Sequence, residues 1–291
     1  MMKKQAKSLT PDRIAVLERI REYETRGGEW FFENAEEDPP SRTLTPEDVD
    51  YLRKTAKFRV NGFFARLAER AAFPFFRRKY GMTLAGAEHL ASLTGGAVFT
   101  SNHFDRFESL AVRYAASRAP GKHRLWKLIR EGNYFIPGIL GWFLRYADTL
   151  PLSSSVKTMG LLERAVGEIL ARGDFLLVYP EQAMWWNYKK PRPYRIGAFH
   201  FAAKNGVPVV PCFVTLREKD PALPLLPDNV AYTVHVGEPI FPDPALSVRE
   251  NAEAMRKENA AFARAVYEKT YGEPLCYLCG EDPFAAGREK A

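Results

Sequence analysis

Residues 97–103 read AVFTSNH, an apolar run that ends in the polar pair Asn102 and His103. A short apolar run rich in Val, Phe and Thr predicts a buried β-strand. In open α/β sheets, ligands and catalytic groups collect at the carboxyl ends of the strands. The stretch therefore predicts an α/β fold and a crevice onto which Asn102 and His103 project.

Apolar runs and helical patterns alternate along the rest of the chain. Strand character recurs at 82–85, 125–129, 175–179, 207–214 and 230–236, and helical periodicity recurs at 107–118, 138–147, 156–172, 197–205 and 247–270. This alternation predicts an α/β domain with a largely parallel sheet flanked by helices. We place that domain at residues 81–273, after an N-terminal, membrane-associating helical region at 1–80 and before a C-terminal tail at 274–291.

The composition of the 291 residues is that of a folded protein, with 46% hydrophobic and 26% charged residues. The 42 basic residues exceed the 35 acidic ones by 7, which favours anionic partners such as phosphates, nucleic acid or a membrane surface. Cys276 and Cys279 form a lone C-x-x-C pair without the further ligands of a structural zinc site, so we expect free thiols and no metal. We find no signal peptide and no apolar run of about 18 residues, so we expect a cytoplasmic protein without a transmembrane helix.

The N-terminal region contains the most basic segment of the chain. We expect a helix over residues 11–26 and a second one from Thr45 to about Phe73, where Pro74 breaks or kinks it. Residues 53–80 contain nine basic residues, one acid and seven aromatics, so this segment alone carries a charge of +8.

An apolar stripe on the second helix runs beside a stripe of arginines. The apolar positions are Val60, Phe64, Leu67 and Ala71, and the basic ones are Arg59, Arg66, Arg70 and Arg77. An apolar face flanked by cations suits a helix that lies in the headgroup layer of an anionic membrane, which is the interpretation we favour. The alternatives are that the stripe packs on the core beneath solvated arginines, or that the basic helix binds nucleic acid.

Glu108 follows His103 by five residues, at the expected start of a helix, with Asp105 between them. A histidine that acts as a general base needs a carboxylate on its far ring nitrogen, which sets the tautomer and stabilises the imidazolium. The alternative is that His103 is an ordinary hydrogen-bonding residue at a strand end. The motifs G-x-S-x-G, G-x-x-x-x-G-K-[ST], G-x-G-x-x-G and H-E-x-x-H are missing, which argues against serine hydrolases, nucleotide hydrolases, dinucleotide enzymes and zinc proteases.

A second polar strand end follows the apolar run at 175–179. There Glu181 comes directly after Pro180, so we expect its carboxylate in the same crevice. Residues 188–195 read YKKPRPYR, with a charge of +4, which suits a phosphate or a nucleotide tail; the alternative is a solvated, proline-stiffened loop. The pair Trp185 and Trp186 precedes that stretch, and we interpret it as an apolar ligand wall or a membrane edge.

Five segments are notable for their order along the chain: MTLAGAEHL at 82–90, SNH at 101–103 with Glu108, YPE at 179–181, GVPVVP at 206–211 and VGEPI at 236–240. Together they resemble the glycerolipid acyltransferases, most closely the 1-acylglycerol-3-phosphate (lysophosphatidic acid) type, over about residues 80–242. The resemblance implies that His103 deprotonates the hydroxyl of a lysophospholipid, which attacks the thioester of acyl-CoA or acyl-carrier protein. It implies neither a covalent acyl-enzyme nor a metal or other cofactor.

The resemblance also implies where the substrates and the protein lie. Glu181 and its neighbours would bind the acceptor, which makes Asn102, Tyr179, Pro180, Glu181 and Gln182 candidate substrate-binding residues. The partners would be a lysophospholipid, an acyl thioester with acyl-carrier protein as one possible donor, and an anionic membrane surface, without nucleic acid. The protein would then be peripheral, or monotopic, on the inner face of the cell membrane.

The sequence departs from the family pattern at three places. Glu108 stands where the family usually has aspartate, and the F-P-E-G-T-R block reads YPEQAM at 179–184, without its glycine and arginine. The second motif falls at 147–152, ADTLPL, without its usual arginine. Either Lys189, Lys190 and Arg192 replace the arginines associated with the acceptor phosphate, which we expect, or the acceptor is a different polar lipid. A catalytically silent membrane- or lipid-binding protein of the same fold is a further alternative.

Overall fold

The computed structural model describes residues 9–38, 41–220 and 229–284. Its strands are β1 (Thr83–Ala85), β2 (Ala97–Thr100), β3 (Leu125–Ile129), β4 (Thr149–Pro151), β5 (Phe175–Val178), β6 (Val209–Glu218) and β7 (Val230–Val236). Its helices are α1 (Pro11–Arg26), α2 (Ala56–Lys79), α3 (Glu108–Ala116), α4 (Gly138–Tyr146), α5 (Val156–Ala171), α6 (Gly197–Asn205) and α7 (Val248–Tyr271). Residues 1–8 of the predicted N-terminal region and 285–291 of the predicted tail lie outside the described residues.

The strands form one sheet in the order β1-β7-β6-β2-β5-β3-β4. Neighbouring strands are parallel except β6 and β7, which pair antiparallel. The predicted largely parallel α/β sheet is therefore confirmed. At the centre Thr100 lies between Val178 and Pro211, so the loops that follow β2 and β5 leave the sheet at the same edge.

The sheet separates two apolar cores, and β2 contributes to both. Val98 belongs to the core that α5, α6 and α7 cover, whereas Phe99 belongs to the core that α3 covers. This division follows from the alternation of side chains along a strand. Gly96 precedes β2, and a Cβ there would lie 2.2 Å from the carbonyl oxygen of Leu170. Only glycine therefore lets β2 begin against the end of α5.

The second helix differs from its prediction at both ends. Thr45 caps only the short 3-10 turn Pro46–Asp48, and α2 begins at Ala56 after the carboxylate of Asp50 accepts hydrogen bonds from the Lys54 and Thr55 amides, at 2.9 and 2.7 Å. Pro74 lies inside α2, which continues to Lys79. A proline removes a single backbone donor, and the neighbouring turns carry the helix through it.

Two further features of the fold follow from tertiary contacts. The edge strand β4, only three residues long, has no periodic pattern of its own and is formed by pairing with β3. Trp185 and Trp186 are 0% and 6% exposed and belong to the core, so their prediction as a ligand wall or membrane edge is wrong. Among the described residues, no helix combines the length and apolarity that crossing a bilayer requires.

Candidate active site

His103 lies just beyond the carboxyl end of β2, next to Asn102, whose side chain forms two hydrogen bonds to β6. The side-chain amide of Asn102 donates to the carbonyl of Val214 at 3.0 Å, and its oxygen accepts from the Val214 amide at 2.8 Å. Asn102 is 2% exposed. It therefore joins the end of β2 to β6 and positions His103, and the prediction that it contacts substrate is not supported.

The imidazole of His103 and the carboxylate of Glu108 form a hydrogen-bonded pair. The Nδ1 to Oε1 distance is 2.8 Å, and Glu108 is 2% exposed at the start of α3. The second oxygen of Glu108 accepts from the Asp105 amide at 2.7 Å, which fixes the orientation of the carboxylate. Because an ionised carboxylate only accepts, Nδ1 carries the donated proton and Nε2 is left with its lone pair.

The other ring nitrogen of His103 is open to a substrate. Its side chain is 22% exposed, and in the part of the chain that the structure describes Nε2 has no hydrogen-bond partner. The ring stacks on Tyr179, with centroids 4.2 Å apart and an interplanar angle of 12°. The carboxylate and the stacked ring together hold the imidazole in one orientation.

Two further titratable groups border this pair. Burial, with Glu108 nearby, raises the pKa of Asp105 to about 6. Burial also raises the pKa of Tyr179 well above 10, and among the described residues its hydroxyl has no hydrogen-bond partner. Tyr179 is therefore a neutral phenol that packs against His103, and its predicted contact with the substrate stays a prediction.

Glu181 forms a buried ion pair beneath His103. Its Oε2 accepts from the His103 amide at 3.1 Å and from the Arg192 guanidinium at 3.0 Å, and its Oε1 accepts from the Arg192 amide at 2.9 Å. Glu181 is 2% exposed and Arg192 0%. Arg192 also donates to the Phe31 carbonyl at 2.8 Å. The prediction of Arg192 as a phosphate ligand is wrong, since its guanidinium is enclosed by protein, and Glu181 acts by positioning the backbone.

The rest of the basic loop is divided between separate carboxylates. Lys189 lies 3.5 Å from Glu218 on β6, and Lys190 lies 2.6 Å from the buried Glu24 on α1. The two lysines therefore diverge, and the structure does not bring them together with Arg192 into one phosphate site.

The turn that follows β5 retains an unusual backbone. Gln182 has a φ of 63°, in the left-handed region that glycine favours, and its amide donates to the carbonyl of Tyr179 at 3.0 Å. The side chain of Gln182 is exposed to solvent. The backbone of Pro180 is already engaged by protein, because its carbonyl accepts a hydrogen bond from the Arg195 amide at 2.9 Å. Within this turn, Gln182 is thus the residue whose side chain is accessible to a ligand.

Sequence reasoning missed one cluster of charges. Arg66 on α2 and Arg124 before β3 both pair with Asp148, the residue before β4. Their spacing in sequence carries no signal, because three separate elements supply them. Within the described residues, no three His, Cys, Asp or Glu side chains converge as metal ligands would.

Residues 81–215 match the family model described as Acyltransferase. The match spans 135 of the 291 residues, just under half of the chain. The matched segment, here called the Acyltransferase domain, includes His103, Glu108, Glu181 and Arg192, so the whole arrangement around the imidazole lies within it. Helix α2 lies outside it.

Two curated plant proteins are similar to about half of the chain. The 1-acyl-sn-glycerol-3-phosphate acyltransferase BAT2, chloroplastic, of Brassica napus is 28% identical over 154 residues, which are 51% of this chain and 40% of that protein. The 1-acyl-sn-glycerol-3-phosphate acyltransferase LPAT1, chloroplastic, of Arabidopsis thaliana is 30% identical over 157 residues, 51% of this chain and 39% of that protein. The chain thus matches about two fifths of the length of these relatives.

One solved structure is similar at a lower level. The crystal structure of the 1-acyl-sn-glycerophosphate (LPA) acyltransferase PlsC from Thermotoga maritima has a TM-score of 0.48 and 17% sequence identity, and the match covers 77% of this chain and 86% of that one.

Proposed function

We propose that this protein transfers a fatty acyl group from an acyl thioester to the hydroxyl of a lysophospholipid of the 1-acylglycerol-3-phosphate type. The observation that carries the proposal is the His103–Glu108 pair inside the Acyltransferase domain, with Nε2 of His103 free at the edge of the sheet. The two plant relatives, whose names specify that reaction, support the choice of acceptor.

The proposed chemistry needs no covalent enzyme intermediate. Nε2 of His103 takes the proton of the acceptor hydroxyl as its oxygen attacks the thioester carbonyl carbon. The tetrahedral intermediate then collapses, the carbon–sulfur bond breaks, and the leaving thiolate takes the proton from the imidazolium. Glu108 stabilises that imidazolium, and Tyr179 keeps the ring from rotating. The donor would be acyl-CoA or acyl-carrier protein, and no metal or further cofactor takes part.

We further propose that α2 lies in the headgroup layer of a membrane. Its buried positions are Gly62, Ala65 and Glu69, and Phe58, Phe73 and Phe76 pack partly buried against the cores. Five other large apolar side chains of α2 are exposed by half or more: Val60 55%, Phe63 57%, Phe64 54%, Leu67 52% and Phe75 64%. Ile139 and Leu140 on the neighbouring α4 are 86% and 47% exposed. This exposure argues against the alternative in which the stripe packs on the core.

The charges of α2 support the same orientation. Among the described residues, Arg59, Arg70, Arg77 and Arg78 have no carboxylate partner, although Arg77 lies over the ring of Tyr114, so these cations flank the apolar face without a neutralising acid. A face of this kind suits peripheral, monotopic association with an anionic leaflet, which we place at the inner face of the cell membrane. Nucleic acid would not need the apolar face.

The pairing of two basic residues favours, as a second candidate, an acceptor other than lysophosphatidic acid. Lys190 and Arg192, two of the three side chains expected to bind the acceptor phosphate, are paired with buried carboxylates. An acceptor that is a different polar lipid would not need them. A catalytically silent lipid-binding protein would also keep the fold.

The reaction is tested by acyl transfer in detergent micelles, with acyl-CoA and acyl-carrier-protein donors and a panel of lysolipids. We expect His103→Ala to abolish product, and Glu108→Gln to lower kcat by about 10²- to 10⁴-fold because a neutral amide cannot stabilise the imidazolium. His200→Ala, on α6, is the matched control and should retain activity. Full activity of His103→Ala would remove His103 as the base, and no transfer by the wild type would favour the silent lipid binder.

A further inference from the structure

A cavity lined by arginines lies between α2 and the starts of β3 and β4. Its volume is about 710 Å³. The lining residues are Leu52, Arg53, Ala56, Arg59, Val60, Phe63, Phe64, Arg66 and Arg124. Cationic groups thus line the same cavity as exposed aromatic and aliphatic side chains.

The charges of this arginine pocket are not balanced. Asp148 accepts from Arg66 at 3.3 Å and from the Nε of Arg124 at 3.2 Å, so one carboxylate serves two guanidinium groups. Arg59 has no carboxylate partner among the described residues. The other nearby carboxylate, Asp50, is engaged by the amides at the start of α2. Four arginines therefore face one available carboxylate.

Arg53 is the most unusual member of the set. It is 7% exposed and has a φ of 57°, a conformation that non-glycine residues adopt at a cost. Its two terminal nitrogens donate to the carbonyls of Asp50 at 3.1 Å and Thr149 at 2.8 Å, and its guanidinium lies over the rings of Phe58 and Trp126. Within the described residues its buried Nε has no hydrogen-bond partner. A buried guanidinium that is hydrogen-bonded to no carboxylate is costly unless an anion compensates it.

The arginine pocket is remote from His103. Arg124 precedes β3, whose first residue lies level with Phe175 and so with Ala97, the first residue of β2. Ala97–Thr100 alone rises by about 10 Å, His103 lies three residues beyond it, and β3 lies two strands away from β2, about 10 Å across the sheet. The hydroxyl and phosphate of a 1-acylglycerol 3-phosphate are separated by only two carbon atoms. An acceptor poised at His103 therefore cannot place its phosphate here.

The apolar side of the pocket indicates what kind of anion fits. Val60, Phe63 and Phe64 are each more than half exposed, and they belong to the face of α2 that we place in the headgroup layer. A phosphate carried on a diacylglycerol would satisfy the arginines while its chains follow these side chains. Free phosphate would leave them in water.

We propose that the arginine pocket binds the phosphate of an anionic phospholipid from the membrane, at a site separate from the acyl-transfer centre. The inference rests on the membrane association proposed above, but not on the acyl-transfer reaction. It assigns Arg53, Arg59, Arg66 and Arg124 to the headgroup and Val60, Phe63 and Phe64 to the chains. Bound lipid would hold α2 at a defined depth, and the ion pairs of Glu69 with Arg113 and Lys127 would link that helix to the domain.

The test is a calorimetric titration of the full chain with dihexanoyl phosphatidic acid below its micelle concentration. The informative variant is Arg59→Gln, since Arg59 is exposed and its loss leaves the fold intact. Arg70→Gln is the matched control, from the same helix but outside the pocket. We expect Arg59→Gln to weaken binding about tenfold, as loss of a charge-assisted hydrogen bond would, and Arg70→Gln to bind like the wild type.

Three outcomes would overturn the proposal. Equal affinities of wild type, Arg59→Gln and Arg70→Gln would place any bound lipid elsewhere, including at His103. Binding of inorganic phosphate as tight as that of the lipid would make this a free-phosphate site. No binding by the wild type would remove the site altogether. Acyl transfer in micelles is measured separately. Lipid binding that depends on Arg59, without acyl transfer, would support the proposed lipid site and contradict the proposed acyltransferase activity.

Discussion

At the scale of single residues, the site depends on a few side chains that take up unusual states. His103 has one nitrogen bonded to Glu108 and one left free, although nothing in its local sequence separates a base from a structural histidine. Gln182 has an unusual backbone conformation, with a positive φ, and Asp105 has a raised pKa. Each of these states has a measurable consequence for the free energy of unfolding.

Gln182→Gly should stabilise the protein by about 0.5–1 kcal/mol, since glycine removes the cost of a side chain at a φ of 63° and loses part of that gain to chain entropy. The measurement is urea unfolding. Ala183→Gly, at the next position, where φ is not positive, should lower stability instead. A loss from Gln182→Gly equal to that from the control would show that this backbone is not strained.

Asp105→Asn should remove a pH-dependent penalty. The pKa of Asp105 is raised to about 6 in the folded state, from 3.8 in the unfolded state, so the folded protein binds a proton at this carboxyl more tightly. The stabilisation from that proton is full below pH 3.8 and is lost as pH rises through 6. Unfolding free energies of wild type and Asp105→Asn should therefore diverge between pH 4 and 7, by about 2–3 kcal/mol in favour of the variant. Parallel curves over that range would contradict the raised pKa.

At the scale of elements, the loop after β5 is organised by one buried ion pair. Glu181 and Arg192 join the turn, the backbone of His103 and the segment that contains Phe31. A charge cluster that the sequence pattern predicted as a ligand site thus supports the loop that carries His103. Lys190 and Arg195 extend it by pairing with Glu24 and Glu29.

Arg192→Met should cost about 3–5 kcal/mol of stability, because it leaves the Glu181 carboxylate buried without its partner. The double variant with Glu181→Gln should lose less, as no charge remains unpaired. Arg195→Met, whose partner Glu29 is 79% exposed, should change stability by less than about 1 kcal/mol. Thermal unfolding of the three variants makes the comparison, and similar losses from Arg192→Met and Arg195→Met would reject a structural role for the buried pair.

At the scale of the whole molecule, the sheet separates two regions of different chemistry. The carboxyl ends of β2 and β5 support His103 and Glu181, whereas the starts of β3 and β4 carry the arginine pocket beneath α2. Helix α2 contacts both α3 and α4, and its exposed apolar face gives the molecule one side suited to lipid. That arrangement predicts that a membrane-bound molecule would have the exposed apolar face of α2 toward the lipid.

Phe63→Ser should weaken binding to anionic vesicles about tenfold or more, the amount expected when one aromatic side chain no longer enters the lipid. The free energy of unfolding should stay within about 0.5 kcal/mol of the wild type, because Phe63 is already 57% exposed. Val156→Ser, on α5 with Val156 89% exposed, is the matched control. Equal vesicle affinities for the two variants in a sedimentation assay would reject α2 as the membrane face.

The amino-acid sequence by itself determined the class of the fold, the order of strands and helices and the position of His103 relative to Glu108. Those features depend on local periodicity and on residues close together in the chain, and the predicted strands and helices of residues 81–273 recur in the structure within a few residues. The sequence also marked α2 as basic and apolar, although it misplaced the start of that helix and overstated the effect of Pro74.

Only the tertiary structure decided which charged side chains are free to bind a ligand. The sequence pattern predicted Arg192, Lys190 and the paired tryptophans as ligand groups, but other residues occupy all of them. Arg192 pairs with Glu181 eleven residues away, Lys190 pairs with Glu24 on α1, and the tryptophans lie in the core. Conversely, the arginine pocket draws Arg53, Arg66 and Arg124 together around Asp148 from three places in the chain. Burial and pairing depend on contacts between residues far apart in sequence, so composition and spacing cannot reveal them.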